Sequence, residues 1–216
     1  MNTNPHRKPK SRRSEQAPAK RNSMSVPNEL LWAFIGLLLT IFSTFVEASI
    51  AGWSGSALAA YRLGVTYQIG AVLFIGCAGG RNAALISQIA YVFLGLTWLP
   101  VFAEGGGLDY LEKPSFGYIL GFIPGAAICG WWSFRSRLKL ETLGIGALFG
   151  LLAIHLVGIL YTIGLFLLNS RGSQVVFPDS LPSALVNYSV LPFPGQLVVA
   201  CAAVLLAFFV RKVLFY

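Results

Sequence analysis

The sequence predicts an all-α integral membrane protein, a bundle of six transmembrane helices with both termini on the cytoplasmic side. Three observations predict it. Only 11% of the 216 residues are charged while 56% are hydrophobic, against about 25% charged in a typical soluble domain. The apolar residues gather into runs at about 30–50, 63–80, 82–102, 116–134, 143–168 and 192–210, near the roughly 20 residues that cross about 30 Å of hydrocarbon. Finally, the cations fall on alternate connections rather than on all of them, the signature of the positive-inside rule.

The stretch before the first run, residues 1–27, carries seven of the sixteen Lys and Arg among Pro, Ser, Asn and Gln. It is too poor in apolar residues to offset the cost of ordering and reads as a disordered basic cytoplasmic tail. Its charge suits topology and anionic headgroups. Nucleic acid is not an expected partner, because the chain beyond the tail is nearly neutral. The apolar run that follows is too long for a signal-peptide core. Residues 28–216 form the membrane domain.

Within the first helix, Gly36, Thr40 and Thr44 form a small-residue stripe suited to a partner helix. Glu47 near its outer end has no cation in its own helix and is placed to pair with Arg62. The second and third helices are separated only by Gly79, Gly80 and Arg81, which calls for a tight antiparallel hairpin. The fifth run, at about 1.5 Å per residue, is longer than the hydrocarbon layer and must tilt or protrude. With the N-terminus inside, the inner set is the tail, Arg81, Arg135, Arg137, Lys139, Arg211 and Lys212, and the outer set only Arg62, Lys113 and Arg171. Thirteen cations against three hold the orientation strongly, and every internal connection agrees with it.

Polar residues at membrane depth are costly and functional by default, and here they collect at the outer face. Thr66, Tyr67 and Gln68 start the second helix there. The glycines Gly105, Gly106 and Gly107 in the next outer loop permit positive φ and close approach of backbone to a ligand. Ser115, Gly117, Tyr118, Tyr161, Asn187 and Gln196 fall at the same face. Belts of Tyr, Trp, Gly and Pro at any membrane interface would give part of this pattern. The inner connections, however, are short and basic, whereas the two long outer ones are apolar and aromatic, and such loops fold over the bundle mouth as a lid. His155, near mid-helix, has no acid or second His at its depth, so an interhelical hydrogen bond is its expected role. Cys77, Cys129 and Cys201 have no Cys-x-x-Cys partner and read as small core residues. There is no phosphate-binding loop, zinc motif or nucleophile elbow. The chain is not expected to hydrolyse ATP, to be an enzyme or to hold a cofactor or metal.

Gly95-Leu-Thr-Trp-Leu-Pro-Val-Phe-Ala-Glu-Gly-Gly-Gly107 and Pro114-Ser-Phe-Gly-Tyr-Ile-Leu-Gly-Phe122 resemble the BioY family, the biotin-binding S components of energy-coupling-factor transporters. Val65-Thr-Tyr-Gln68, Ile154-His-Leu-Val-Gly158 with Tyr161, and Leu191-Pro-Phe-Pro-Gly-Gln196 extend the resemblance, in order, over about residues 30–214. It implies capture of biotin at the outer face of the cell membrane for delivery against a transmembrane T component driven by ATPase subunits; the basic inside tail and the lack of a signal-peptide pattern fit a prokaryotic inner membrane. Phe102, Tyr118 and Tyr161 would pack on the ligand's rings beside Gly105, Gly107 and Gly117. Thr66, Gln68, Ser115 and Gln196 would supply directed hydrogen bonds. Two positions depart from the family pattern: an acid is replaced by Gln196 and a lysine by Val199, both expected on one helix face toward the pocket. A ligand carboxylate would then fall to Lys113, Arg62, or the hydroxyls of Ser115 and Tyr118. Alternatives are a different vitamin-like ligand, a membrane enzyme using His155 or Glu47 as acid–base residue, and an assembly protein whose small-residue helix faces bind partner helices.

Overall fold

The computed structural model describes residues 26–54, 57–97, 99–169 and 180–215; the basic tail up to residue 25 lies outside them. In chain order the elements are helix α1 (Val26–Thr44), strands β1 (Glu47–Ser54) and β2 (Ala57–Thr66), and helix α2 (Gln68–Thr97). A 3-10 turn (Leu108–Glu112) leads to helices α3 (Pro114–Ser133) and α4 (Leu140–Asn169). A short helix α5 (Leu181–Leu185) and a π-helical turn (Val186–Val190) then lead to α6 (Phe193–Phe215). Five helical stretches are long and apolar enough to cross a membrane.

The thirty-residue α2 is not one rod. A straight helix would hold Gln68 and Tyr91 about 35 Å apart at about 1.5 Å per residue, yet Gln68 Nε2 donates to the Tyr91 hydroxyl at 2.8 Å. The reversal sits at Gly80, where φ is 80° and ψ −179°, a conformation open essentially to glycine alone. The hairpin expected at Gly79-Gly80-Arg81 is therefore present. Gly130 of α3 makes room for it, since a methyl group there would meet the Arg81 backbone nitrogen at 2.6 Å.

All other rods follow the two arms of α2. Asn82 Nδ2 donates to Glu29 at 3.1 Å, placing the start of α1 at the Gly80 end. At the other end Thr44 of α1 lies 3.3 Å from the Tyr91 hydroxyl. Arg211 of α6 donates to the carbonyls of Cys77 and Ser133 at 3.2 and 3.0 Å, returning the last helix to the Gly80 end. Cations therefore segregate: Arg81, Arg135, Arg137, Lys139, Arg211 and Lys212 share the Gly80 end, and Arg62 and Lys113 the opposite one.

Lipid gives helices no hydrophobic reason to associate, so close packing must do it. Gly36 abuts Ile75 and Ser87, Thr40 Oγ1 accepts from Gln88 at 3.1 Å, and the stripe on α1 meets its partner helix as expected. Gly121 and Gly125 of α3 lie against Ile154 of α4. The outward faces are apolar, with Phe34, Leu38 and Phe42 on α1 and Leu148, Leu152, Leu156 and Leu160 on α4 exposed. Such residues face acyl chains.

Two expectations need correction. The protein is not all-α: β1 and β2 pair as an antiparallel hairpin, Glu47 opposite Thr66 and Ser54 opposite Ala57, with a register shift between Glu47 and Ser49. The apolar residues at 45–50 and 63–66 extend the neighbouring helical runs in composition, but Gly52 and the Gly55-Ser56 pair are weak helix formers, and such a pair between apolar runs marks a hairpin. The first helix accordingly ends at Thr44 rather than near 50, and α2 begins at Gln68 rather than 63. Its second arm stops at Thr97 rather than 102 because Pro100 cannot continue a helix. Replacing Gly80 with Ala is expected to lower the thermal midpoint of the detergent-solubilised protein, at a cost of about 1–3 kcal/mol. Gly144→Ala, where an added methyl meets nothing within 4 Å, should leave it unchanged.

Candidate functional site

A cavity of about 280 Å³ opens at the end of the bundle that carries the β-hairpin. Its walls come from segments far apart in sequence: Thr66 and Gln68 at the junction of β2 and α2, Tyr110 in the 3-10 turn, Ser115 and Tyr118 in the first turns of α3, and Gln196 at the start of α6. Each placement has a local cause. Pro114 opens α3 and, having no N–H, belongs in a first turn, so Ser115 and Tyr118 follow on one side of the helix. A methyl group on Gly195 would meet the Leu63 carbonyl oxygen at 2.6 Å. Glycine there lets α6 press against β2 and brings Gln196 across from Thr66.

The Tyr91 hydroxyl holds this end together. It accepts from Gln68 at 2.8 Å, donates to the Val101 carbonyl at 3.0 Å and lies 3.3 Å from Thr44. One buried oxygen thus joins α1, both arms of α2 and the loop above them. That loop is shaped by Gly105 and Gly107 at φ 110° and 95°; the Gly107 N–H donates to the Gly95 carbonyl at 2.8 Å. Phe102, fully buried, packs between Tyr91 and Tyr110 at ring distances of 5.4 and 4.7 Å.

Gln196 and His155 form a second linkage. His155 Nε2 and Gln196 Oε1 are 2.6 Å apart, so the imidazole N–H donates to the amide oxygen. The interhelical bond expected of His155 is present, between α4 and α6. Its Nδ1 is buried without a partner. Gln196 lines the cavity with its oxygen already engaged, which leaves its amide N–H groups as the donors to a ligand. The Tyr118 and Ser189 hydroxyls bond at 2.5 Å, and Tyr118 stacks on Tyr188, so the segment from 186 to 190 closes one side. Ser115 Oγ is buried beside the Tyr110 hydroxyl.

Of the ten residues singled out from the sequence, Thr66, Gln68, Ser115, Tyr118 and Gln196 line this cavity. Phe102 stands behind Tyr110, Gly105 and Gly107 shape the loop, and Gly117 lies against Tyr161 in the contact between α3 and α4. The Tyr161 hydroxyl donates to the Leu111 carbonyl at 2.5 Å. Tyr110 and Tyr188 do line the cavity and were not named individually, though both sit in the apolar, aromatic connections expected to form a lid. Val199 turns away from the site: it packs against Gly70 and borders an apolar furrow between α1, α2 and α6. Three residues on from Gln196 in a helix, it is rotated by nearly a full turn but not onto the same contact.

The cations expected nearby are already paired. Arg62 and Glu47 are 3.0 Å apart across the β-hairpin, the pairing anticipated for Glu47. Lys113 Nζ lies 2.7 Å from Glu104 and 4.8 Å from the centre of the Tyr110 ring. Glu104 beside it raises the Lys113 ammonium above its ordinary value. Among the described residues no three His, Cys, Asp or Glu side chains converge as a metal site would require. Two larger hollows, of about 540 and 530 Å³, are furrows lined almost wholly by apolar side chains on the helix flanks.

A multi-pass membrane bundle with a small polar and aromatic chamber at one end is a membrane protein built to hold a small ligand there. The chain belongs to the BioY family, whose model matches residues 17–215. It is 32% identical over 188 residues to an uncharacterised 21.2 kDa protein of the psbX-ycf33 intergenic region of Cyanophora paradoxa, spanning 86% of this chain and 95% of that one. It is 35% identical over 176 residues to the biotin transporter BioY of Rhodobacter capsulatus, spanning 78% and 84%. The fold matches the crystal structure of the S-component for biotin from an ECF-type ABC transporter with a TM-score of 0.60 at 21% identity, over 88% of this chain and 95% of that one.

Tyr91→Phe removes the one oxygen shared by four segments and leaves Gln68 and the Val101 carbonyl to find new partners. A loss of about 1–3 kcal/mol is expected. It should be visible as a lower thermal midpoint and as faster proteolysis of the 99–113 loop.

Proposed function

We propose that this protein captures biotin at the outer face of the cell membrane and releases it toward the cytoplasm, as an S component. The observation that carries the proposal is that five side chains from three distant segments, Thr66, Gln68, Ser115, Tyr118 and Gln196, line one chamber of a chain in the BioY family. Biotin presents a ureido group, which needs donors and acceptors together, on a fused apolar ring system. Hydroxyls both donate and accept, and a glutamine amide N–H donates, while Tyr110, Tyr188 and Phe122 offer aromatic walls. These residues, with Gly105 and Gly107 holding the loop above, are the proposed site; Phe102, Gly117 and Tyr161 support it from behind.

Six crossings with both termini in the cytoplasm complete the reading, each arm of α2 counting as one. Support comes from the gathering of the inner cations at the Gly80 end. The first arm, about 12 residues or about 18 Å at 1.5 Å per residue, is short for a span, and the β-hairpin continues it to the surface. The membrane is a bacterial or equivalent inner membrane, and the energy source is a transmembrane T component with ATPase subunits.

Mass spectrometry of small molecules retained by the purified protein is the direct test, and bound biotin is the expected result. Protein that retains nothing and binds no added biotin removes the reading. Gln196→Leu, which keeps the volume but deletes the amide donors and the acceptor for His155, should weaken biotin binding about tenfold or more. A cysteine at Ser136 in a cysteine-free background should react with an impermeant maleimide only after cells are permeabilised, whereas one at Asp109 should react before.

A further inference from the structure

Resting on the biotin reading, we infer that this site recognises its ligand as a neutral molecule: the ureido end is read inside the chamber, and the valerate carboxylate is left unread at the mouth. The lining contains no Lys, Arg, His, Asp or Glu among the described residues; its polar members are hydroxyls and amides. A carboxylate taken into such a chamber would lose its hydration and, among the described residues, meet no cation, which is a heavy penalty. A ureido group meets its match in the same chamber, because Thr66 and Ser115 can each donate and accept and Gln196 can donate.

The described cations outside the chamber do not repair this; Arg171, of the same outer set, lies outside the described residues. Lys113 is closest, since it lies over the Tyr110 ring, but Glu104 already neutralises it at 2.7 Å. An incoming carboxylate would have to displace a tethered one for no net gain in charge pairing. Arg62 is held by Glu47 at 3.0 Å with both side chains largely exposed, where an ion pair is weak and screened by salt. Arg211 is committed to two carbonyls at the opposite end of the bundle. Val199, on the first two turns of α6, presents no charge and faces Gly70 rather than the chamber. The ligand class that fits is therefore biotin together with derivatives whose acid is masked, such as its primary amide.

The test is calorimetric binding of biotin and of biotinamide to the full-length protein in detergent or nanodiscs, at low and high salt, with wild type and Lys113→Gln. The two ligands should bind wild type within about threefold of each other, with little salt dependence. Lys113→Gln should change neither affinity by more than about threefold, because the exposed pair contributes little. Biotin binding wild type about tenfold or more tightly than its amide would overturn the inference, and a matching selective loss in Lys113→Gln would identify the cation responsible. Failure of both ligands to bind would instead remove the biotin reading itself, so the two failures are distinguishable.

Discussion

Everything at the β-hairpin end of this protein depends on the chain reversing at Gly80. The reversal needs a backbone conformation at φ 80°, ψ −179° that a side chain would forbid. It also needs α3 to come close enough for Gly130 to touch the Arg81 backbone. Without it Gln68 and Tyr91 could not share a hydrogen bond at 2.8 Å. The Tyr91 hydroxyl would then not gather α1, α2 and the Val101 loop into the frame that holds Tyr110 over the chamber.

The chamber shows how a membrane bundle can place polar groups at depth without leaving them stranded. Most find a partner: Gln88 with Thr40, His155 with Gln196, Tyr118 with Ser189. Ser115 Oγ in the lining sits beside the Tyr110 hydroxyl, and His155 Nδ1, on the ring edge away from the Gln196 contact, is buried without a partner. In a low-dielectric interior an unsatisfied polar group is costly, which is why so few occur. Small residues do the complementary work. The glycines of α3 and of the Pro194-Gly195 step allow helices and strand to approach until side chains from distant segments face one another.

Charge follows a different logic. At the hairpin end the described cations are each neutralised by a neighbouring carboxylate, Lys113 by Glu104 and Arg62 by Glu47. At the Gly80 end the cations are more numerous and Arg211 reaches inward to backbone carbonyls. The chamber lies at the electrically quiet end. That arrangement suits a ligand held by hydroxyls, amides and aromatic faces, and it separates the topological use of charge from recognition.

Much of this was legible in the sequence, because a hydrocarbon environment imposes strong rules on composition. The presence of long apolar helices, the segregation of Lys and Arg, the hairpin at Gly79-Gly80-Arg81 and the stripe Gly36-Thr40-Thr44 each follow from local residue identity, whereas the exact span ends do not. So did the gathering of Thr66, Gln68, Ser115, Tyr118 and Gln196 at one end, since depth in a bundle is set by position along each helix. Rotation about each helix axis and the pairing of a short hairpin were not legible. Apolar stretches look alike whether helical or extended, so the ends of β1 and β2 were counted with the flanking spans and the rest of the hairpin with the loop between them. Whether Val199 faces the chamber or Gly70, and whether Tyr161 meets a cavity or Gly117, depends on which neighbours a helix packs against. Only the tertiary structure decides that, because it is a property of contacts between segments rather than of any segment alone.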